Sequence, residues 1–198
     1  MSGHMSSTST AEVGRRDIGG RQAGRVDALV DATVAELRAG GYEGLTVRNA
    51  ARRAGVGAAT AYTWFGSKDH LVAEVFWRRL DALPAPELEG HPTAAARVTA
   101  ALRELALLVA AEPELAAAST TAILARDPDV QRLRDRIGTA FNDRLQAALG
   151  PDHDPAVLRA LNLALAGALL QAGMGYFSYA DLADRMRQVA ELLLGDAE

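Results

Sequence analysis

The residues from Thr46 to Leu71, TVRNAARRAGVGAATAYTWFGSKDHL, hold two short helical patterns separated by one glycine. Each pattern is too short to make a stable helix alone, so the two must pack against each other. Helices joined by a turn of about three or four residues containing Gly are typical of a helix-turn-helix. Gly55 gives the turn its backbone freedom, and Ala51 and Ala61 are small enough for a close crossing. A tight corner of a helical core would use the same pattern.

The remainder of the chain predicts helices, and no segment has the period of a strand. The first apolar face begins at Val26 and stops at Gly40-Gly41. Further helices are expected over 47–53, 58–64, 67–80, 93–111, 114–125, 128–149, 155–176 and 179–194. A proline-rich break over 82–93 is the expected seam within the chain. The fold prediction is all-α, with about nine helices.

Side chains that can accept backbone N–H bonds mark the expected helix starts. They are Thr46, Ser67, Asp127, Asp154 and Ser178. Prolines reinforce three of the later starts, because a proline near the first turn removes an N–H that has no partner there. These prolines are Pro113, Pro128 and Pro155.

Composition limits the partners and the cellular setting. The chain has no cysteine, so we expect no disulfide framework, no thiolate metal site and a cytoplasmic location. The net charge is −4, but its distribution is uneven. Residues 1–80 hold 11 Lys+Arg against 8 Asp+Glu, a balance of +3, and residues 81–198 hold 10 against 17, a balance of −7. The first part can therefore approach a polyanion that the remainder would repel.

No membrane-spanning segment is expected. The longest run of low charge, residues 160–180, is interrupted by Asn162, Gln171 and three glycines, whereas a span needs about 20 largely apolar residues. We interpret this run as a buried helix. The first residues, MSGHM, resemble a cloning remnant, and the polar stretch after them lacks the apolar core of a signal peptide.

The sequence lacks the signatures of common enzyme classes. It has no Gly-rich phosphate loop and no G-x-S-x-G nucleophile elbow. His70, His91 and His153 are far apart and lack metal-ligand spacing. Two pairs of aspartates beside prolines are interpreted as caps and solvated loops. We therefore expect no catalytic residue, no metal ion and no cofactor.

The helix-turn-helix pattern carries more polar side chains than so small a core can use. They are Arg48, Arg52, Thr60, Tyr62, Thr63 and Lys68. Groups of this kind hold phosphates and fix register on a duplex, so they favour a DNA-binding surface over a plain helical corner. A nonspecific architectural DNA binder is a further alternative. The acidic larger part argues against it, because such proteins spread positive charge widely.

The segment GGYEGLTVRNAARRAGVGAATAYTWFGSKDHLVAEV resembles the N-terminal DNA-binding segment of the TetR family of bacterial transcriptional repressors. The family pattern has a Gly-aromatic pair, a Thr-Val helix start, an Ala-Gly-Val turn, a Tyr-x-x-Phe segment, and a Ser-Lys pair followed by a leucine. Its positions here are Gly41-Tyr42, Thr46-Val47, Ala54-Gly55-Val56, Tyr62 with Phe65, Ser67-Lys68 and Leu71. The layout of residues 112–141 and of the C-terminal helices also resembles actinobacterial repressors of sterol and lipid catabolism.

The resemblance implies that the helix beginning near Gly57 enters the major groove of DNA. Its implied DNA contacts are Thr46, Arg48, Ala58, Ala59, Thr60, Tyr62, Thr63, Trp64 and Lys68. Arg48 would contact a base edge or a phosphate, and Trp64 would contact a phosphate or pack against the first helix. Gly57 replaces the usual Ser or Thr cap, and alanines replace larger polar residues after it. We therefore expect thin direct base readout, with DNA shape contributing.

The resemblance also implies a homodimer and a small-molecule effector. The family builds its dimer from the last two helices of each subunit, although ordinary intrachain packing would give the same pattern. The expected interface residues are Ala164, Gly167, Ala168, Leu182, Met186, Val189 and Leu193. The mostly apolar pocket candidates favour a hydrophobic or amphipathic effector. They are Phe76, Trp77, Leu105, Leu108, Thr120, Thr121, Ile123, Leu124, Ile137, Phe141, Leu169, Met174, Tyr176 and Phe177.

These expectations divide the chain into three parts. Residues 1–21 are a tag remnant and flexible arm, 22–66 the helix-turn-helix domain, and 67–198 the ligand-binding and dimerisation domain. The arm carries Arg15, Arg16, Arg21 and Arg25. These arginines would reach phosphates or a minor groove, or the arm would be disordered. The predicted function is a ligand-responsive repressor that binds a (pseudo)palindromic operator as a homodimer.

Overall fold

The computed structural model describes the backbone of residues 8–195 and the side chains of residues 22–195. Over that range the backbone forms nine α-helices, a short 3₁₀ turn at Tyr179–Asp181 and no strand. The helices are α1 (Thr8–Gly44), α2 (Val47–Arg53), α3 (Ala58–Trp64), α4 (Lys68–Asp81), α5 (Ala94–Ala111), α6 (Pro113–Ala122), α7 (Pro128–Leu149), α8 (Pro155–Gly173) and α9 (Leu182–Leu194). The all-α prediction is confirmed.

The first helix differs most from its predicted bounds. We expected it to begin at Val26, whereas the backbone is helical from Thr8. Its break lies where the glycine pair predicted it, since Gly41 has φ 63° and ψ −171°, outside the helical region. Arg25 is exposed on this helix. The other arginines of the predicted arm lie outside the side chains that the structure describes: Arg15, Arg16 and Arg21.

The helix-turn-helix forms over α2 and α3, with the predicted bounds. Thr46 caps α2, since its Oγ1 accepts the N–H of Asn49 at 3.0 Å while Asn49 Oδ1 accepts the N–H of Thr46 at 2.7 Å. Gly55 adopts φ +67°, a conformation that L side chains rarely take. Helix α3 begins after Gly57 without a side-chain cap. Its weak start was predicted from that glycine.

Helix α4 joins the helix-turn-helix to the remaining helices. It packs against α1, α6 and α7, and Leu71, Val72 and Val75 have no exposed surface. One apolar core extends from Leu29 in α1 to Ala190 in α9. The proline-rich segment 82–93 is therefore a loop on the surface of this core, and it does not separate two cores.

The predicted caps of the later helices are present. Asp127 accepts the N–H of Asp129 at 2.8 Å, and Asp154 accepts the N–H of Ala156 at 2.8 Å. Ser178 forms its capping box at the 3₁₀ turn and not at a long helix. The helix predicted over 179–194 is thus divided into this turn and α9, and α8 ends three residues before its predicted limit of 176.

Replacing Gly55 by Ala is expected to lower the free energy of unfolding by about 1–2 kcal/mol, because a Cβ at positive φ meets the following carbonyl oxygen. Chemical denaturation followed by circular dichroism measures the difference. Gly66→Ala is the matched control, since that glycine has ordinary φ and open space around it. Equal losses in the two variants would contradict the role assigned to the Gly55 conformation.

Candidate nucleic-acid interface and effector cavity

The outward face of α3 presents small side chains. Ala59, Thr60 and Thr63 are exposed, whereas Ala61 has no exposed surface and Phe65 has 5%. The hydroxyl of Thr63 donates to the carbonyl of Ala59 at 3.0 Å, so its hydrogen is used within the helix. The face thus offers methyl groups and hydroxyl oxygens. Such groups suit contacts with thymine methyls better than bidentate base recognition.

Longer polar side chains come from α2 and from the second half of α3. Tyr62 is 50% exposed, and Arg48 and Arg52 are exposed. Neither arginine forms an ion pair with another side chain among residues 22–195. Residues 44–68 contain three arginines, one lysine and no Asp or Glu. The surface is therefore positively charged, as binding to phosphates requires.

Lys68 and Thr46 already have partners within the chain. Lys68 Nζ donates to the carbonyl of Tyr42 at 3.1 Å and lies 3.9 Å from the centre of the Tyr42 ring. An ammonium has three donors, so Lys68 can hold a phosphate and keep this bond. Burial, with the hydrogen bond to Asp69, raises the pKa of Tyr42. The Thr46 hydroxyl also donates to Asn49 at 2.8 Å, so its first role is to cap α2.

The remaining predicted DNA contacts, Ala58 and Trp64, are both half-buried. Trp64 packs against the apolar core, which favours the packing alternative over a phosphate contact. Phe65 belongs to the core, and its ring meets that of His70 edge-on with 5.3 Å between ring centroids. The exposed interface is thus narrower than the predicted set.

A polar contact joins the start of α4 to the start of α7. Ser67 caps α4 by accepting the N–H of His70 at 3.0 Å, and its hydroxyl donates to Asp127, the cap of α7, at 2.8 Å. This bond from Ser67 lowers the pKa of the Asp127 carboxyl below its ordinary value. His70 Nδ1 lies 3.8 Å from Asp129 in the first turn of α7. The residue directly before α4 is therefore fixed to α7.

A cavity of about 290 Å³ lies between α4, α5, α6, α7, α8 and the 3₁₀ turn. Half of the predicted pocket residues line it: Phe76, Thr120, Ile123, Leu124, Ile137, Phe141 and Leu169. Its outer edge includes Leu124 and Leu170, whose exposed fractions are 70% and 39%. Phe76 is the one lining residue that α4 supplies.

The other seven predicted pocket residues lie elsewhere. Leu105 has no exposed surface and belongs to the core. Trp77 packs against Val130 and Leu133, under the guanidinium of Arg136. The remaining five are exposed or half-buried away from the cavity: Leu108, Thr121, Met174, Tyr176 and Phe177. Leu108 on α5 and Thr121 on α6 do not line the cavity, and Met174, Tyr176 and Phe177 follow the end of α8.

Six lining residues were missed by the sequence analysis: Val109, Ala116, Ser119, Ala166, Leu170 and Tyr179. Ser119 and Tyr179 add two hydroxyls to that of Thr120 on a mostly apolar wall. The one local signal was the run of three polar residues, Ser119 to Thr121, after AAA in α6. Close approach of α6 and α8 also shapes the wall, since a Cβ on Gly173 would lie 3.0 Å from Thr120 Oγ1.

A groove of about 580 Å³ runs along the outer faces of α8 and α9. Four of the predicted interface residues line it: Ala164, Gly167, Ala168 and Val189. Leu163 and Leu192 also line it and are 75% and 84% exposed. The groove is therefore an open surface between two large apolar side chains.

The predicted stripe on α9 needs correction. Leu182 and Met186 are each 1% exposed and lie in the core, not on the groove. With Ala190 they recur at every fourth residue, and α9 packs mainly on α5. Leu193, which is 38% exposed, does not line the groove. One side of α9 thus serves the core and the adjacent side faces out.

Among residues 22–195, no cluster of three or more His, Asp or Glu side chains is placed to hold a metal ion.

Comparisons with known proteins agree with this architecture. The family model described as bacterial regulatory proteins, tetR family, matches residues 29–75. The uncharacterized HTH-type transcriptional regulator Rv0767c of Mycobacterium tuberculosis is 45% identical over 179 residues, which cover 89% of this chain and 84% of that protein. The HTH-type transcriptional repressor KstR of Rhodococcus jostii is 30% identical over 200 residues, covering 96% and 93%.

Solved structures share the fold. A TetR transcriptional regulator from Rhodococcus sp. RHA1 matches with a TM-score of 0.73 at 21% identity, over 90% of this chain and 100% of that one. FadR of Bacillus subtilis, in complex with stearoyl-CoA, matches with a TM-score of 0.61 at 18% identity, over 86% and 98%. At these identities the likeness concerns the fold.

The exposed, basic helix-turn-helix on an all-α fold defines a DNA-binding transcriptional regulator. Its relatives are transcriptional regulators as well. The chain belongs to the TetR family of bacterial regulatory proteins.

Replacing Asp127 by Ala is expected to lower the free energy of unfolding by about 1–2 kcal/mol at pH 7, through loss of the α7 cap. Because the folded-state pKa is depressed, this stability is present above the ordinary pKa of about 3.9 and is lost as the pH falls below it. Denaturation at pH 7, 5 and 3 should show the difference from wild type narrowing only at pH 3.

Asp152→Ala, which removes an exposed carboxylate from the loop before α8, is the control and should change little. The losses in Ser67→Ala and Asp127→Ala should not add in the double variant, because the two side chains are in contact. Additive losses, or a difference that does not change with pH, would contradict the contact.

Proposed function

We propose that this protein is a homodimeric repressor that binds a (pseudo)palindromic operator and releases it when a small, mostly apolar effector fills the cavity. One observation carries the proposal: α4 begins inside the family match, which ends at residue 75, and Phe76 of the same helix lines the cavity. The similar KstR is named a repressor, which supports repression over activation. Residues 22–66 would bind DNA and residues 67–198 the effector and second subunit, in the cytoplasm.

On DNA, α3 enters the major groove with its small face against the bases. Tyr62 in the second half of α3 and Lys68 at the start of α4 bind phosphates, and Arg48 takes a base edge or a phosphate. Methyl contacts from Ala59 and Thr60 would discriminate weakly. The shape and deformability of the operator therefore supply part of the specificity.

The second subunit is supported by the outer surface of α8. Among the described helices, α8 alone is long and apolar enough to cross a membrane by length and composition, with a mean hydropathy of 1.4, yet only 17% of that stretch is buried within one chain. One such helix is weak evidence for a membrane. A second copy of this chain is the better explanation for what covers the exposed apolar surface of α8. Ala164, Gly167 and Ala168 allow close approach of a helix, and a two-fold axis pairs the groove with itself.

The effector site is the cavity between α4 and α8. Its wall is mostly apolar, which suits a hydrophobic or amphipathic small molecule. FadR, which shares the fold, is solved with stearoyl-CoA, and this supports an effector role for the fold.

Release follows from a population shift. A dimer holds its two recognition helices about one DNA turn apart, roughly 34–36 Å, to read both half-sites. Phe76 lies nine residues after Ser67, about 13 Å along the helix. An effector that packs better against Phe76 when the two recognition helices stand at a different separation lowers operator affinity. The loss equals the effector's differential affinity for the two states.

Tyr62→Ala is expected to weaken binding to both the DNA upstream of its own gene and a scrambled duplex, because a phosphate contact carries little sequence information. The wild type should prefer the upstream duplex by about a hundredfold or more. Fluorescence anisotropy over a range of salt concentrations measures both quantities. In the same assay, Arg48→Ala lowers the preference ratio if Arg48 reads a base and preserves it if Arg48 holds a phosphate.

Arg132→Ala is the matched control, since Arg132 is an exposed cation on α7, away from the helix-turn-helix. It should leave both affinities unchanged. Equal, weak binding of the wild type to the upstream and scrambled duplexes would contradict a specific operator at that site.

Leu163→Glu is expected to convert the dimer to a monomer, because two copies of the charge would face each other, desolvated, across the two-fold axis. Sedimentation velocity gives the mass. Leu107→Glu is the control, since Leu107 on α5 is 53% exposed and lies outside the groove. A monomeric wild type, or loss of the dimer in both variants, would rule out the α8–α9 groove as the interface.

A further inference from the structure

The cavity wall carries no charge that could pair with an ionic ligand. Among the described residues that line it, none is Asp, Glu, Lys, Arg or His. An ionised group buried there would lose its hydration without gaining a partner, which is strongly unfavourable. The part of an effector that enters this cavity is therefore uncharged.

Three hydroxyls lie on the wall, and two of them already donate hydrogen bonds within the protein. Ser119 Oγ donates to the carbonyl of Leu115 at 2.7 Å. Thr120 Oγ1 donates to the carbonyl of Ala116 at 3.0 Å. Both oxygens keep lone pairs, so Ser119 and Thr120 can only accept from a ligand while these helical bonds remain.

Tyr179 holds the one free hydroxyl hydrogen among the three. Its residue is 7% exposed, and its Oη lies 3.4 Å from Thr120 Oγ1, beyond the usual range of about 2.5–3.0 Å for hydroxyl pairs. Burial raises the pKa of Tyr179, so the group stays a protonated donor at neutral pH. A buried hydroxyl with so weak a partner gains free energy from a better acceptor.

We propose that the effector is an uncharged, apolar molecule with one ketone or alcohol oxygen, and that the Tyr179 hydroxyl donates to that oxygen. A ketone oxygen accepts a hydrogen bond from Tyr179. An alcohol accepts the same bond and can also donate to Thr120 or Ser119. This inference rests on the proposed function only in taking the cavity as the effector site.

The dimensions of the cavity limit the size of the buried part. Its volume of about 290 Å³ lies just below the usual range for ligand pockets, roughly 300–1,000 Å³. A Cβ on Gly173 would lie 3.0 Å from Thr120 Oγ1, so α6 and the end of α8 approach closely beside Tyr179. A medium-chain or compact ring system fits this space, with its oxygen at the closed end.

Isothermal titration calorimetry with 2-decanone, 1-decanol and decanoate tests the proposal on the full chain without DNA. Wild type should bind the ketone and the alcohol at least about tenfold more tightly than decanoate, because the anion has no partner. Tyr179→Phe should weaken ketone binding about tenfold through loss of one hydrogen bond. Tyr176→Phe removes an exposed hydroxyl outside the cavity and should leave affinity unchanged.

A second variant tests whether 2-decanone binds in this cavity, and it leaves Tyr179 unchanged. Ala116→Leu adds methyl groups to the buried wall and should abolish ketone binding, while circular dichroism verifies that both variants stay folded. The proposal is overturned if 2-decanone fails to bind, if decanoate binds as tightly, or if Tyr179→Phe binds like wild type. Because no DNA is present, these failures are distinct from a failure of operator binding.

Discussion

The packing of α4 against α1, α6 and α7 is the constraint on which the rest of the structure depends. Its start is held by Ser67 and Lys68, which bond to Asp127 at the start of α7 and to the end of α1. Its middle contributes Phe76 to the cavity. Close-packed interiors switch between discrete arrangements more readily than they deform. In the proposed mechanism, a change at Phe76 would therefore reach the helix-turn-helix through α4.

The DNA-binding surface gains its stability from this core and not from local helix signals. Helix α3 has no side-chain cap and is only seven residues long, so it depends on the burial of Ala61 and Phe65. Its small outward side chains leave the long donors to α2 and Tyr62. In the proposed function, such a surface would bind the phosphate backbone more than it reads bases, so the spacing of the two helix-turn-helix units in a dimer would matter for selectivity.

Features that depend on local chemistry could be predicted from the sequence. The bounds of α2 and α3, the caps at Ser67, Asp127 and Asp154, and the turn at Gly55 each follow from a few neighbouring residues. The cavity depends instead on which helix faces meet. Met174 and Tyr176 are large and apolar, yet they end on the surface because α8 stops at Gly173.

The dependence on which helix faces meet also explains the wrong prediction for α9 and the failure to predict Tyr179 as a cavity residue. Leu182 and Met186 form an apolar stripe that suits a partner subunit or α5 equally well, and only the packing of α9 on α5 decides between them. Tyr179 was assigned to a long helix, whereas the 3₁₀ turn brings its hydroxyl to Thr120 on α6. Neither outcome has a signal within a short window of sequence.

The coupling between the cavity and DNA binding is tested most directly by the distance between the two helix-turn-helix units of a dimer. The chain has no cysteine, so Ala39→Cys at an exposed position of α1 takes one spin label per subunit, and pulsed electron paramagnetic resonance gives the distance distribution. The account predicts that the upstream duplex selects one spacing and that 2-decanone shifts the distribution to another. Identical distributions for the free, DNA-bound and ketone-bound protein would contradict it.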